Sequence, residues 1–281
     1  MLNSEQADRL YHTFQDKETK KQPYAHWQLK LENCVITYYQ SGKCLFQGSE
    51  AEVYASAFIE RPNQPSHKLY PQAGSDEVGT GDYFGPVVVC ASYVCENQLD
   101  LLRSYGITDS KAMSDKDIQK AAKSLQNQFT HVIFSLSPKA YNDLYRRYNM
   151  NATKALLHNQ AYLALSKRVD LPEICMVDQF TAEKNYFSYL AYEPEIFHRL
   201  QFETKAESRY ASVALASVFA RNRFLEEWSY MEEKYNFHFQ KGAGALVDRC
   251  AKEFVKQFGY DSLEQVAKIH FKNTDKLKEG E

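Results

Sequence analysis

The sequence predicts an α/β domain over residues 74–281, preceded by a small α+β domain over residues 1–60. In the larger part, short apolar runs that suit buried strands alternate with longer helical segments, which is typical of α/β proteins. The stretch 61–73 between them is polar and has three prolines, which disfavour both a helix and a central strand, so we interpret it as a linker. The N-terminal part is predicted to form a helix, strands and a second helix. A domain of that size buries too little apolar surface to be very stable by itself.

The N-terminal domain is predicted to begin with a helix that Ser4 caps. A single extended segment is expected over Leu29–Tyr39, with its alternate apolar residues on one face. The dipeptide Ser41-Gly42 predicts a hairpin turn into a further strand. A second helix is expected from Ser49 to Ile59, because the sequence there begins with a capping box.

The larger domain is predicted to alternate strands and helices along the chain. The first half of its longest helix is small and apolar, so that half should lie buried against the sheet. Strands are expected at 87–94, 131–136, 173–178 and 199–204. Helices are expected at 115–129, 151–169, 208–235, 245–258 and 262–269, and the polar residues 273–281 are expected to fray.

Composition indicates an ordinary globular protein of the cytoplasm. No apolar stretch reaches the roughly 18 residues of a membrane span, and the first residues lack the pattern of a signal peptide. The six cysteines are scattered without a C-x-x-C pair, so neither zinc nor a disulfide scaffold is expected. The formal net charge of -2 does not decide for or against nucleic acid. Nothing suggests an obligate protein partner, so a monomer is expected.

The segment Gly74–Asp82 is the most informative part of the sequence. It places Asp76 and Glu77 side by side among glycines, just before the apolar run Pro86–Ala91. Adjacent residues on a regular strand point to opposite faces, so we expect a glycine-rich bend to re-aim one of the two side chains. Two acids brought together at a strand end suit a divalent cation better than an ion pair.

Two further acids occupy positions that suit chemistry. Asp178 ends a predicted strand, at the edge where open α/β sheets place their active sites, although it would equally suit a turn or a helix cap. Glu207 is expected where a strand leads into the longest helix, a position that the helix dipole also favours for structural reasons. Together with Asp76 and Glu77 they predict four carboxylates at one sheet edge. Four such groups could hold two Mg²⁺ or Mn²⁺ ions roughly 4 Å apart, as in displacement at phosphorus.

Four segments resemble the active-site motifs of the type 2 and type 3 ribonucleases H, and they follow in the same order along the chain. The first is Gly74–Pro86, the second is Asp109-Ser110-Lys111, the third is Val177–Phe180 and the fourth runs from Lys205 to Arg221. The matches cover residues 73–273. The resemblance implies a ribonuclease H-like mixed sheet flanked by helices.

Several features are similar to type 3 rather than type 2. The turn is Gly79-Thr80-Gly81, where type 2 enzymes typically carry Gly-Arg-Gly, and the fourth acid is Glu207 rather than aspartate. The tail Ala267–Thr274 also resembles type 3. Type 3 enzymes carry an N-terminal substrate-binding domain that resembles half of a TATA-binding protein. Here that domain matches in size and element order alone, so no binding residues are assigned to it.

The resemblance implies an endoribonuclease that cuts the RNA strand of RNA/DNA hybrids and leaves 5′-phosphate and 3′-hydroxyl ends. It assigns the metal ions to Asp76, Glu77, Asp178 and Glu207. The backbone of Gly79-Thr80-Gly81 would contact ribose 2′-hydroxyls, which distinguish RNA from DNA. Whether Mg²⁺ or Mn²⁺ serves better is left open.

Further substrate contacts are implied with structural alternatives beside them. Ser110 and Lys111 would contact phosphates, and Lys205 and Lys241 are further phosphate candidates, although each lysine equally suits a solvated surface. Asn151 suits either a helix N-cap or a substrate contact. His158 suits a hydrogen-bonded core position or a catalytic one.

Three other functions compete with this one. A type 2 activity would also incise at a single ribonucleotide in duplex DNA, but Thr80 and Glu207 argue against it. A non-catalytic hybrid binder gains nothing from crowding four acids beside phosphates. A phosphatase acting on small phosphoesters would not explain the appended N-terminal domain.

Overall fold

The computed structural model describes residues 4–19, 22–31, 33–48, 51, 54, 69–107 and 113–278. Ser110 and Lys111 lie outside these residues, and so do most of the predicted helix from Ser49 to Ile59 and residues 61–68 of the predicted linker. Contacts divide the chain into two compact units, Met1–His67 and Lys68–Glu281. Among the helices within the described ranges, none is long and apolar enough to span a membrane.

In the described part of the N-terminal unit, the helix Ser4–Phe14 packs against a three-stranded antiparallel sheet. Its buried core includes Leu10, Trp27, Leu29 and Ile36. The sheet has the order β1-β2-β3, with β1 at Ala25–Lys30, β2 at Val35–Tyr39 and β3 at Cys44–Gln47, and a short 3₁₀ turn lies at Gln15–Lys17.

The prediction of a single extended segment over Leu29–Tyr39 is wrong. The chain reverses between β1 and β2, where the amide of Leu31 donates to the carbonyl of Cys34 at 2.8 Å, and the two strands then pair antiparallel. In the sequence, apolar residues recur at alternate positions on both sides of this reversal. That pattern therefore cannot show that the chain reverses direction between the two strands. The hairpin turn at Ser41-Gly42 is confirmed, because Gly42 has a φ of 77° between β2 and β3.

The larger unit is built on a five-stranded mixed sheet with the order β6-β5-β4-β7-β8. β4 pairs antiparallel with β5 and parallel with β7, so it is the strand where the sheet changes direction. The strands are β4 Gln72–Val78, β5 Val87–Val94, β6 His131–Leu136, β7 Ile174–Asp178 and β8 Gln201–Glu203. The α/β prediction and the exact residues expected for β5 and β6 are confirmed.

Helices cover both faces of this sheet. Val88 and Cys90 of β5 join one hydrophobic core and Val87 and Val89 join the other, since alternate residues of a strand face opposite ways. The helices on the first face are Ala211–Tyr235, Asp115–Leu125 and Ala245–Phe258, and those on the second are Met150–Ser166 and Glu183–Tyr189. Shorter helices lie at Leu99–Ser104, Pro138–Tyr145 and Lys272–Lys278, with 3₁₀ turns at Glu96–Gln98, Ala206–Ser208 and Tyr260–Gln265.

Helix ends account for most differences from the prediction. The longest helix begins at Ala211 rather than at residue 208, and a separate 3₁₀ turn precedes it. The helix expected at 262–269 is wrong, because a 3₁₀ turn ends at Gln265 and Ala267 then forms a β-bridge with Phe84. Residues 272–278 form a helix where fraying was expected, because tertiary contacts such as that between Tyr83 and Thr274 hold this polar segment.

Gly74 allows the longest helix to approach β4 closely. A Cβ atom on Gly74 would lie 2.5 Å from the Ser212 hydroxyl and 2.5 Å from the amide of Val213. The amide of Val213 is backbone and cannot turn aside, so any larger residue must push the helix away from the sheet. Gly81 differs, because a Cβ atom there would meet nothing within 4 Å.

Gly74→Ala should therefore destabilise the protein by on the order of 3 kcal/mol, the range of overpacked cores. Gly81→Ala should leave the free energy of unfolding unchanged and serves as the matched control. Urea unfolding of the full chain, followed by circular dichroism, measures both. Equal stability of the two variants would show that the helix is free to shift.

Lys268 is buried and joins the C-terminal segment to the loop after β4. Its ammonium donates to the carbonyl oxygens of Phe84 and Gly85, at 3.3 and 2.6 Å. The backbone adds two further bonds, from the amide of Lys268 to Tyr83 and from the amide of Gly85 to Val266. Burial lowers the pKa of Lys268 to about 7, because the charged form is poorly solvated there.

This shift makes stability depend on pH in a defined direction. Between the folded pKa of about 7 and the ordinary value of 10.5, the unfolded lysine keeps a proton that the folded one has lost. The free energy of unfolding of the wild type, relative to Lys268→Met, should therefore rise with pH in that window, by up to about 1.4 kcal/mol per unit. Urea unfolding at pH 7 to 10 measures the difference. Lys120→Met, at an exposed site, is the matched control, and a flat difference for Lys268→Met would refute the assignment.

Candidate active site

Asp76 and Glu77 lie on opposite faces of the sheet. β4 stays in regular register with β5 through this pair, with Asp76 opposite Cys90 and Glu77 opposite Val89. The prediction that a bend re-aims one of them is therefore wrong, since the backbone remains paired as far as Val78 and the glycines reverse the chain only afterwards. Asp76 faces the helix Ala211–Tyr235, and Glu77 faces the helix Met150–Ser166.

Glu77 is held by two side chains of the helix Met150–Ser166. Lys154 donates to one carboxylate oxygen and His158 Nε2 contacts the other, each at 2.9 Å. His158 is fully buried, and its Nδ1 lies 2.7 Å from the hydroxyl of Ser75. Burial by itself would raise the pKa of Glu77, but the contacts with His158 and Lys154 outweigh it, so the pKa is lowered. His158 thus has both ring nitrogens hydrogen-bonded and touches a candidate metal ligand.

Asp76 is buried among like charges. Its Oδ1 accepts a hydrogen bond from the amide of Glu77 at 2.8 Å, and Ser217 also bonds to the carboxylate. Burial, followed by the negative charges of Glu77 and Asp178, nevertheless raises its pKa above the ordinary range of an aspartate. A cation beside Asp76 would offset all three effects.

Asp178 lies at the same edge of the sheet as Asp76, and the turn that carries Glu207 is bonded to Asp178. Ser75 pairs with Val177 in the parallel ladder between β4 and β7. The next residue on each strand is an acid, so Asp76 and Asp178 lie side by side near the ends of neighbouring strands. Beyond β8, Lys205 adopts a left-handed conformation with φ of 58°, and the next amide, that of Ala206, donates to Asp178 Oδ1 at 3.0 Å. This turn carries Glu207, which is 7% exposed. Because the long helix starts only at Ala211, the predicted helix-dipole position for Glu207 is wrong.

The donor set fits hard divalent cations, which prefer carboxylate oxygens. In the described part of the chain, no group of three or more His, Cys, Asp and Glu side chains is drawn close enough to hold a metal ion. Both carboxylate oxygens of Glu77 instead contact Lys154 and His158. The crowding of negative charge around buried Asp76 is the observation that favours a cation.

The turn Gly79-Thr80-Gly81 contains two glycines with different roles. Gly79 has a φ of 92°, and a Cβ atom there would lie 2.1 Å from the carbonyl oxygen of Pro86, so the fold itself requires glycine. Gly81 is exposed and faces open space. Asp82, next in the chain, accepts a hydrogen bond from the amide of Gly242 at 2.6 Å and thereby fixes the end of the turn.

The other candidate substrate contacts are dispersed. Asn149 rather than Asn151 caps the helix, since its side chain accepts from the amide of Ala152, so the N-cap alternative for Asn151 is wrong. Lys205 is exposed beside Glu207. Lys241 forms an ion pair with Asp115 at 2.8 Å.

Lys154 and Ser217 were not predicted to have a role, although each contacts one of the paired acids. The spacing of Lys154 and His158, four residues apart on one helix, would have placed them on the same face. Ser217 lies on a small, apolar helix segment and gave no signal of its own.

The chain is similar to known proteins along most of its length. A family model described as Ribonuclease HII matches residues 73–274, and residues 1–69 match one described as a domain of unknown function (DUF3378). Ribonuclease HIII of Streptococcus pneumoniae strain CGSP14 is 42% identical over 262 residues, which cover 92% of this chain and 90% of that protein.

Solved structures agree with this relationship. Bst-RNase HIII in complex with Mn²⁺ matches with a TM-score of 0.73 and 35% identity, over 99% of this chain and 97% of that one. Ribonuclease H2 from Pyrococcus horikoshii OT3, 24% identical, shares the fold with a TM-score of 0.61 over 74% of this chain and 97% of its own. The expected family and fold class are confirmed, and neither type 2 activity nor a non-catalytic binder is favoured. The chain belongs to the ribonuclease HII family, with ribonuclease HIII as its relatives, and is a metal-dependent ribonuclease H hydrolase that acts on RNA/DNA hybrids.

Proposed function

We propose that Asp76, Glu77, Asp178 and Glu207 carry the ribonuclease H reaction of this chain by holding two divalent ions, Mg²⁺ or Mn²⁺. The observation that supports this most is the position of buried Asp76 beside Asp178 on neighbouring strands, where burial and the negative charges of Glu77 and Asp178 raise the pKa of Asp76. Like-charge crowding of this kind is typical of active sites. Bst-RNase HIII, solved in complex with Mn²⁺, gives further support.

Each acid has a defined part in this proposal. Such ions, when bound, activate water and stabilise the leaving oxygen, so that RNA is cut to 5′-phosphate and 3′-hydroxyl ends. Asp76 and Asp178 stand at the ends of neighbouring strands and hold the ions in place at the sheet edge. Glu207 closes the site from the turn after β8. Glu77 approaches from the opposite face, is oriented by His158 and is paired with the ammonium of Lys154.

The turn Gly79-Thr80-Gly81 reads the RNA strand in this proposal. The open space at Gly81 lets a ribose approach the backbone, where 2′-hydroxyls can be hydrogen-bonded. The proposed phosphate contacts remain Ser110, Lys111, Lys205 and Lys241, with Asn151 as a further substrate contact. Lys241 would share its charge between phosphate and Asp115.

The whole chain is proposed to work as a monomer in the cytoplasm. Residues 1–60 form a substrate-binding domain, 61–73 a linker and 74–281 the catalytic domain. The strand β4 begins at Gln72, so the last two residues of that linker are part of the sheet.

Asp178→Asn tests the metal site. It removes a charged ligand while keeping a side chain of the same shape, so hybrid cleavage should fall by about 100-fold or more. Wild-type and variant proteins are incubated with Mg²⁺ or Mn²⁺ and two labelled duplexes, a uniform RNA/DNA hybrid and DNA bearing one ribonucleotide. Cleavage of the hybrid alone, lost in the variant, is the expected result. Unchanged cleavage by Asp178→Asn would refute the ligand assignment, and efficient incision at the single ribonucleotide would refute type 3 specificity.

Gly81→Ala tests the reading of the ribose. Its methyl group would occupy the space through which the hybrid approaches, so kcat/KM for hybrid cleavage should fall about tenfold. Steady-state cleavage measures the loss, and the unfolding experiment described above shows whether the fold is intact. Wild-type kinetics in a folded variant would count against contact at this turn.

A further inference from the structure

Lys154 places a fixed positive charge beside the acidic site. Its Nζ lies 2.9 Å from Glu77 Oε1, and the two side chains are only 9% and 12% exposed. The same ammonium lies 3.9 Å from the centre of the Phe180 ring, which adds a cation–π contact. Two independent contacts therefore hold this cation at the candidate ligand.

Structural stability alone is a weak reason for this arrangement. A buried ion pair gains little over well-packed apolar residues, because both charges lose their hydration. His158 already contacts the other oxygen of Glu77 and is itself fixed by Ser75, so the carboxylate is oriented without Lys154. What Lys154 adds is charge.

The positive charge of Lys154 affects the binding of divalent ions to the four acids. Four ionised carboxylates balance two divalent ions, and the ammonium of Lys154 adds one positive charge beyond that balance. With both divalent ions bound the site then carries an excess positive charge, which weakens binding of the second ion unless a further anion is present. The phosphate that the substrate brings to the site is such an anion, and Mg²⁺ characteristically shares its coordination with substrate phosphates.

We propose that Lys154 is a counter-cation of Glu77 that weakens divalent-ion binding to the free enzyme and defers full occupancy of the site to the complex with the hybrid. This inference rests on the proposed function, since it takes Glu77 as a metal ligand. Lys154 acts through Glu77 and is a positioning residue rather than a catalytic one. A purely orienting role would have the opposite effect, because loss of an orienting contact lowers metal affinity.

The sign of the change in metal affinity tests the proposal. Lys154→Met removes the charge and keeps the length of the side chain, and Lys154→Arg keeps the charge. Mn²⁺ alone is titrated into each full-length protein without nucleic acid, and free Mn²⁺ is followed by electron paramagnetic resonance. Lys154→Met should bind Mn²⁺ about tenfold more tightly than the wild type, while Lys154→Arg should match the wild type. Equal or weaker binding by Lys154→Met would overturn the proposal.

A second neutral variant and a second readout protect the test from a folding defect. Lys154→Gln should shift the affinity in the same direction, and thermal unfolding shows which neutral variant is folded. The Mn²⁺ concentration for half-maximal hybrid cleavage should fall in parallel for the neutral variants.

Asp178→Asn distinguishes failure of the proposed metal site from failure of the proposed role of Lys154. If Asp178→Asn does not weaken Mn²⁺ binding, the metal site itself is refuted. If it weakens binding while neither neutral Lys154 variant binds more tightly than Lys154→Arg, only the role of Lys154 is wrong.

Discussion

The pairing of β4 with β5 on one side and β7 on the other is the constraint on which the site depends. Regular pairing through Val78 forces successive side chains to alternate between the two helical layers. Gly74 and Asp76 therefore face the long helix, while Ser75 and Glu77 face the helix that carries Lys154 and His158. One strand thus delivers a carboxylate to each face, and each has its own partners.

The two carboxylates have opposite electrostatic environments as a result. Burial and two negative neighbours raise the pKa of Asp76, whereas contacts with His158 and Lys154 lower that of Glu77. Environment rather than residue type separates them, as expected when one of two adjacent acids gains basic partners. The site therefore combines a carboxylate that a cation would stabilise with one that the protein already stabilises.

Much of the larger domain was predictable from sequence because its strands are apolar and its long helices are well bounded. β5, β6 and the helix Ala245–Phe258 lie at the residues expected. The helix Lys272–Lys278 was not predictable, because its polar sequence is held by contacts with residues far away in the chain. The four acids and His158 could be singled out, but Lys154 and Ser217 could not. Lys154 is a polar residue on a buried helix, and only the register of β4 shows that it meets Glu77.

The clamp that Lys268 forms with the carbonyl oxygens of Phe84 and Gly85 has a consequence for folding during synthesis. Its ammonium bonds to carbonyls 183 and 184 residues earlier in the sequence, in the loop that follows the turn Gly79-Thr80-Gly81. During synthesis that loop leaves the ribosome long before its clamp exists, since chains grow at about 5–20 residues per second. The delay is therefore on the order of 10 seconds or more. Throughout that interval the acids of β4 are already present, but the contacts that brace the neighbouring loop are missing. A nascent chain of this enzyme therefore gains the contacts that fix the loop after β4 only late in synthesis.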